Sequence, residues 1–407
     1  MELRPILSAM RRNKVGAILI AVQMAITLAI LCNGLFIIQQ RIALSHRPTG
    51  TDEANIFAVN NQWVGEPADL PGRLTTDLAA LRSLPGVIDA FATNSYPLSD
   101  SGSTDGVSLK AGQAHATALS ALYFADEHGL AALGLKLVAG RNFNAEEIAD
   151  RKVNDLLPPS AVIVTRQLAD KLFPNGNALG QSVVVEFQKH TTPIVGIVDR
   201  LQVPWVSAGG WGSKFNDNSM LEPFRFVAQS SYYLVRAQPG RLAAVMQAAQ
   251  NKLMEINRAR VLDNIQSLTA ARAEVYRDDR GLAVILGVVC AALLAVTAFG
   301  IVGLTSYWVA QRRRQIGIRR ALGATRNAII GYFQTENALI AAAGAALGVA
   351  MAVALNLWMV SSFEMQRLHT VYALVGAVVV ILLGQLAVLW PAFKAASIPP
   401  ALATKAA

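Results

Sequence analysis

The chain is 407 residues long, 53% hydrophobic and 15% charged, with a formal net charge of +9. That excess does not describe a nucleic-acid-binding face, because residues 41–280 hold 23 Lys and Arg against 24 Asp and Glu and are close to neutral. Both cysteines, Cys32 and Cys290, fall in apolar runs, so the large polar segment has no disulfide framework and must fold on its own core.

In chain order, residues 1–14 come first and are basic, with Arg4, Arg11, Arg12 and Lys14 against Glu2. Residues 15–40 are the first predicted span. Their apolar run exceeds the roughly 7–15 residues of a signal-peptide core, so a retained helix is expected. Residues 41–280 read as an α/β domain. Strand-like runs lie at 55–59, 161–164, 182–187, 193–198 and 232–236, and helix-like runs at 70–84 and 240–256. A helical pattern over 265–279 contains neither Pro nor Gly and predicts a continuous helix into the second span. Further spans are predicted at 281–309, 329–360 and 371–390, joined by segments 310–328 and 361–370 and followed by a tail, 391–407. Each is close to or above the roughly 20 residues that a crossing helix needs.

Segment 311–330, QRRRQIGIRRALGATRNAII, has six arginines and no acid. Each arginine would cost about 2.5–3.5 kcal/mol at a bilayer centre, so this stretch is a loop between spans. With residues 1–14 and the tail, it carries nearly all the positive excess, and an alternating topology puts all three on one side. That is the positive-inside pattern, which predicts cytoplasmic termini. Gly317 and Gly323 argue against one unbroken helix here; a surface helix, a Gly-centred turn and a second short helix are expected. On an unbroken helix Ile318, Leu322 and Ile329 would form an apolar stripe beside Arg312, Arg319 and Arg326.

Glu336 falls roughly 10 Å into the third span, where a carboxylate must pair; the arginines just before it are the natural partners. A structural ion pair is expected over a proton relay, because no second intramembrane acid accompanies it. Gly344 and Gly348 form a GxxxG, which permits close helix approach within the subunit or at a dimer seam, and both readings stay open. In residues 204–218, Trp205, Trp211 and Phe215 sit in a Gly/Ser-rich loop, either tucked back on the domain or forming a contact surface.

Enzyme chemistry has no foothold. There is no GxxxxGK[S/T], GxSxG or HExxH, and the five histidines lack ligand spacing. Asp199 and the Asp126–Glu127–His128 cluster read as surface groups or caps. No catalytic, cofactor or metal residues are assigned.

The phrase RRRQIGIRRALGATRNAII resembles the cytoplasmic signature of the FtsX/MacB-like ABC transporter permeases. Gln315 stands where that family usually has an acid. The tail WPAFKAASIPPALATK is loosely similar to the family's closing phrase through Pro391, Lys394, Ala395, Ala396, Pro400 and Leu402, with Pro399 in place of an acid. Residues 1–14 resemble its short basic N-terminal helix, and the phrases at 133–141, 172–183 and 193–199 resemble the MacB-type periplasmic domain.

The resemblance implies four transmembrane helices in a bacterial inner membrane and a periplasmic α/β domain between helices 1 and 2. It implies no enzyme activity in the permease, with ATP and Mg on a separate cytoplasmic ABC ATPase. Ile316, Gly317, Ile318, Arg319, Arg320, Leu322, Gly323, Ala324 and Arg326 would face that ATPase, the arginines pairing with its acids. The other implied partners are membrane lipids and a second permease, identical or related. A periplasmic adaptor and an outer-membrane channel are compatible with it. The expected function is efflux or extraction of a substrate by mechanotransmission. An FtsX-like activator of envelope enzymes, or a lipoprotein-releasing permease, is the alternative.

Overall fold

The computed structural model describes residues 14–65, 68–185, 190–206, 215–363 and 367–398. Helix α1 (Lys14–Ser45) opens the described chain. After it come β1 (Ile56–Trp63), α2 (Leu70–Arg82), β2 (Val87–Thr93), β3 (Ser103–Ser108), β4 (Ala118–Phe124), α3 (Gly129–Leu133), β5 (Leu137–Gly140) and β6 (Ala149–Arg151). The chain continues through β7 (Val162–Thr165), α4 (Arg166–Leu172), β8 (Ser182–Val185), β9 (His190–Val198), β10 (Ser219–Glu222), β11 (Phe224–Phe226) and β12 (Ser230–Ala237). Helix α5 (Leu242–Ile256), β13 (Arg260–Ser267) and α6 (Leu268–Val275) precede four further helices, α7 (Arg277–Gln311), α8 (Arg313–Ala321), α9 (Arg326–Phe363) and α10 (Thr370–Ala396). Two compact units result, Leu44–Asp278 and the remainder.

The unit Leu44–Asp278 holds two main sheets. One is four-stranded and antiparallel, in the order β13-β1-β12-β2. Helices α2 and α5 line it through Leu74, Leu78, Leu81, Val245, Ala249 and Leu253, all buried. Helix α2 starts where Asp69 accepts from the Gly72 amide at 2.8 Å, and its Leu74, Leu78 and Leu81 recur at the spacing of one helix face. In the second sheet, β5-β9-β7-β10-β4-β3-β8, strand β8 also pairs with β9, so the sheet closes on itself around Val107, Val162, Val164, Val183 and Ile194.

The three Gly-containing phrases are neighbours in space, because β5, β9 and β8 are adjacent strands. Gly140 has φ +80°, and a Cβ there would lie 2.2 Å from the Val195 carbonyl oxygen; only glycine lets the backbones pass. Gly176 and Gly180, at φ +76° and +79° with open space around them, instead serve turns.

Two expectations are corrected here. Residues 260–267 pair with β1 as a strand, so the helix begins only at Leu268, where Ser267 caps it by accepting from the Ala270 amide at 3.1 Å. That helix is not continuous with α7: Tyr276 interrupts it, its ring buried with Leu98 and Ala271.

In the other unit α1, α7, α9 and α10 are each long and apolar enough to cross a bilayer. They run a few residues beyond the predicted spans at both ends. Inter-helix polar contacts include Thr27 with Thr297 (2.7 Å), Gln23 Nε2 donating to the Val296 carbonyl (3.1 Å), and Asn33 Nδ2 donating to that of Ala352 (3.1 Å). Gly344 and Gly348 seat α9 directly on α1. A Cβ on Gly344 would lie 2.9 Å from the Ala21 carbonyl oxygen, and one on Gly348 2.9 Å from Leu28 Cβ. The glycine pair is therefore used inside the subunit.

Candidate functional site

Helix α7 ends at Gln311, and Arg312 (φ −95°, ψ 10°) turns the chain into the nine-residue α8. The end of α8 is closed by two hydrogen bonds that reach back into its last turn. The Gly323 amide donates to the Arg320 carbonyl (3.1 Å) and the Ala324 amide to that of Arg319 (3.0 Å). This closure requires Gly323 at φ +99°, which a residue with a Cβ adopts only under strain. Two residues later α9 begins, capped by Thr325 Oγ1, which accepts from the Ala328 amide at 3.2 Å. The second short helix expected after Gly323 is absent; the third span starts in its place. The turn also dissolves the continuous stripe, because Ile329 is buried while Ile318 and Leu322 are 48% and 83% exposed.

The arginines divide by environment. Arg313, Arg314, Arg319 and Arg326 are exposed, and Arg319 lies over the Tyr332 ring at 5.1 Å. Arg312 and Arg320 point into the unit. Arg312 Nη1 donates to both Glu336 oxygens, at 3.1 and 3.0 Å, with the Glu336 side chain only 4% exposed. Arg320 Nη1 donates to the carbonyls of Ala396 (2.7 Å) and Ile398 (3.1 Å) at the end of α10. Arg320 is half-buried and donates Nη1 to its own chain, which sets it apart from the exposed Arg319 and Arg326. Ile316 and Gly317 form the buried side of α8, and Ala324 is half-buried beyond it. The outward face thus consists of Ile318, Leu322, Arg314 and Arg319, with Arg326 beyond the turn.

In the loop 204–218, Phe215 is buried and Trp205 packs edge-on against it with ring centroids 6.3 Å apart, both on the apolar cluster that joins the two main sheets. Trp211 lies outside the described residues. Asp199 pairs with Arg166 at 3.2 Å, and Asp126 with Arg82 at 3.1 Å. Among the described residues no group of three His, Cys, Asp or Glu is placed to hold a metal ion.

One cluster gave no signal in the sequence. Arg272 on α6 makes a two-pronged pair with Glu53 (2.7 Å for each) and donates to the Ser45 and Arg47 carbonyls, both at 2.8 Å. Burial pushes the Glu53 carboxyl up, but hydrogen bonds from Arg272 and Thr49, with the guanidinium charge, outweigh it and hold the group below its usual range. Backbone acceptors carry no sequence signature, so spacing could not have revealed this clamp.

Two family profiles match the chain: the MacB-like periplasmic core domain over residues 15–252, and the FtsX-like permease C-terminal region over residues 287–400. The chain belongs to the MacB/FtsX-like ABC permease family. Segment 311–330 falls inside the FtsX-like match, and most of the α/β domain inside the other. This permease is 24% identical over 225 residues to the macrolide export ATP-binding/permease protein MacB of Chromobacterium violaceum, covering 54% of this chain and 32% of that one. It is 24% identical over 261 residues to the uncharacterized ABC transporter permease YvrN of Bacillus subtilis, covering 59% and 60%. The permease thus spans less than two thirds of either relative. The crystal structure of the periplasmic region of MacB from Actinobacillus actinomycetemcomitans aligns at 13% identity with a TM-score of 0.34, covering 54% of this chain and 92% of that one.

Proposed function

We propose that the chain is the membrane subunit of an ABC exporter in the bacterial inner membrane, driven by a separate cytoplasmic ATPase that carries the ATP and Mg. Movement of the ATPase is passed through the helices to the periplasmic domain, which acts on a substrate in the periplasm or outer leaflet. The observation that carries the reading is the outward face of α8. It combines exposed Ile318 and Leu322 with exposed Arg314, Arg319 and Arg326 in a segment joining two membrane-spanning helices. Apolar residues exposed beside guanidinium groups suit a partner with an apolar groove rimmed by carboxylates.

A second copy or a related permease completes the assembly, and small-molecule export is the cargo class favoured by the name of the MacB relative. Co-purification tests the reading. The chain is expected to retain a co-expressed ABC ATPase in detergent, and Arg319→Glu with Arg326→Glu is expected to reduce capture at least tenfold, about 1.4 kcal/mol. Capture unchanged by the double reversal would refute α8 as the docking element.

A further inference from the structure

We infer that Arg320 is a positioning residue: it fastens the docking helix to the carboxyl end of the fourth helix, so that force entering at α8 is delivered to α10. The inference rests on the docking reading above for what α8 does, and on separate geometry for where α8 is anchored.

Arg320 Nη1 reaches the carbonyl of Ala396, the last residue of α10, at 2.7 Å, and that of Ile398, two residues on, at 3.1 Å. The final carbonyls of a helix lack intrahelical donors and carry the negative end of its dipole, so a guanidinium there satisfies two acceptors and a charge together. The footing beneath is apolar: Ile316 on α8 shares one buried cluster with Ala392, Ala395, Ala396 and Ile398. An arginine reserved for a partner would stay in solvent, as Arg319 and Arg326 do.

The other connections of α8 differ. Towards α7 the helix is interrupted at Arg312, whose side chain is tied to Glu336 on α9. Towards α9 lies the Gly323 turn. Helix α8 therefore has a hydrogen-bonded side-chain bolt on α10, whereas its contact with α9 beyond the chain itself is the stacking of Arg319 on Tyr332 and the shared apolar cluster.

The test uses the full chain in proteoliposomes with its ATPase, comparing the unaltered protein with Arg320→Ala, Arg320→Lys and Arg319→Ala. Two quantities separate anchoring from docking: the ATPase concentration at half-saturation, and the maximal permease-stimulated ATP hydrolysis. Arg320→Ala is expected to lower maximal stimulation about fivefold at an unchanged half-saturating concentration, whereas Arg319→Ala raises that concentration. Arg320→Lys, which still donates to carbonyls, is expected to recover at least half the stimulation.

Amide exchange supplies a readout that needs no ATPase. Residues 313–322 and 392–398 are expected to exchange faster together in Arg320→Ala and to return towards the original rate in Arg320→Lys. Unchanged exchange in both segments, or a raised half-saturating concentration with intact maximal stimulation, would overturn the anchoring role. If the unaltered chain captured no ATPase while exchange still responded to Arg320→Ala, the docking reading would fall and the anchor would stand.

Discussion

Asp77 and Arg260 meet at 2.6 Å with both side chains fully buried beneath the four-stranded sheet. Tyr233 donates its hydroxyl to Asp77 (2.8 Å), and the Trp63 ring lies 4.1 Å from the guanidinium carbon, so the charges are ringed by groups that compensate their lost water. Replacing one partner leaves the other charged, dry and alone. Asp77→Ala is therefore expected to destabilise the domain by about 3–5 kcal/mol, read as a lower midpoint in thermal unfolding of the solubilised chain. Asp77→Leu with Arg260→Met should recover much of that loss, because the pair's net worth is small. An Asp77→Ala midpoint equal to the original would show that the pair is not closed as described. At this scale the sequence reveals little. Glu336 is legible because a carboxylate inside an apolar run has to find a cation, and Arg312 supplies it. Arg320 is not legible, since its acceptors are backbone oxygens 76 and 78 residues away.

Among the elements, the glycines of the membrane helices fall into two kinds. Gly348 has no room for a side chain against Ala25 and Leu28, whereas Gly287 has nothing within 4 Å of where a Cβ would sit. Gly348→Val is expected to part α9 from α1 at a cost of about 1–3 kcal/mol. Gly287→Ala is expected to be neutral or stabilising by up to about 1 kcal/mol through helix propensity alone. Resistance to SDS-induced unfolding distinguishes them, and equal losses at both sites would count against the seam. The GxxxG spacing announces close approach without naming the neighbour, which only the packed helices supply. The same limit explains β13. The predicted helix starts at 265, without a breaker to stop it, but pairing with β1 draws residues up to Ser267 into the strand and overrides that local pattern. The long apolar spans were legible because the bilayer sets their length, and strands such as β12 because β-branched and aromatic residues cluster in them.

For the molecule as a whole, partition of charge was the strongest guide. A nearly neutral domain of about 240 residues between two apolar helices, with arginines gathered on short connecting segments, specifies four spans and an inserted α/β domain. The closed second sheet escaped the sequence because β10 is only four residues long and its pairing with β4 joins residues about a hundred positions apart.

The Arg312–Glu336 pair has a consequence for biogenesis. Helix α9 must carry a carboxylate into the bilayer, a burden of about 2.5–3.5 kcal/mol on the insertion scale if it enters unpaired. Arg312 is made first and waits at the end of α7, so the third helix enters against a partner already in place. Arg312→Leu is expected to leave a fraction of newly made chains with α9 outside the membrane, seen as extra protease-sensitive product. Adding Glu336→Leu should abolish that fraction. If Arg312→Leu chains inserted as completely as the original, α9 would be shown to enter without help. The order of synthesis, arginine before acid, would then be incidental; otherwise it is an assembly instruction written into the chain.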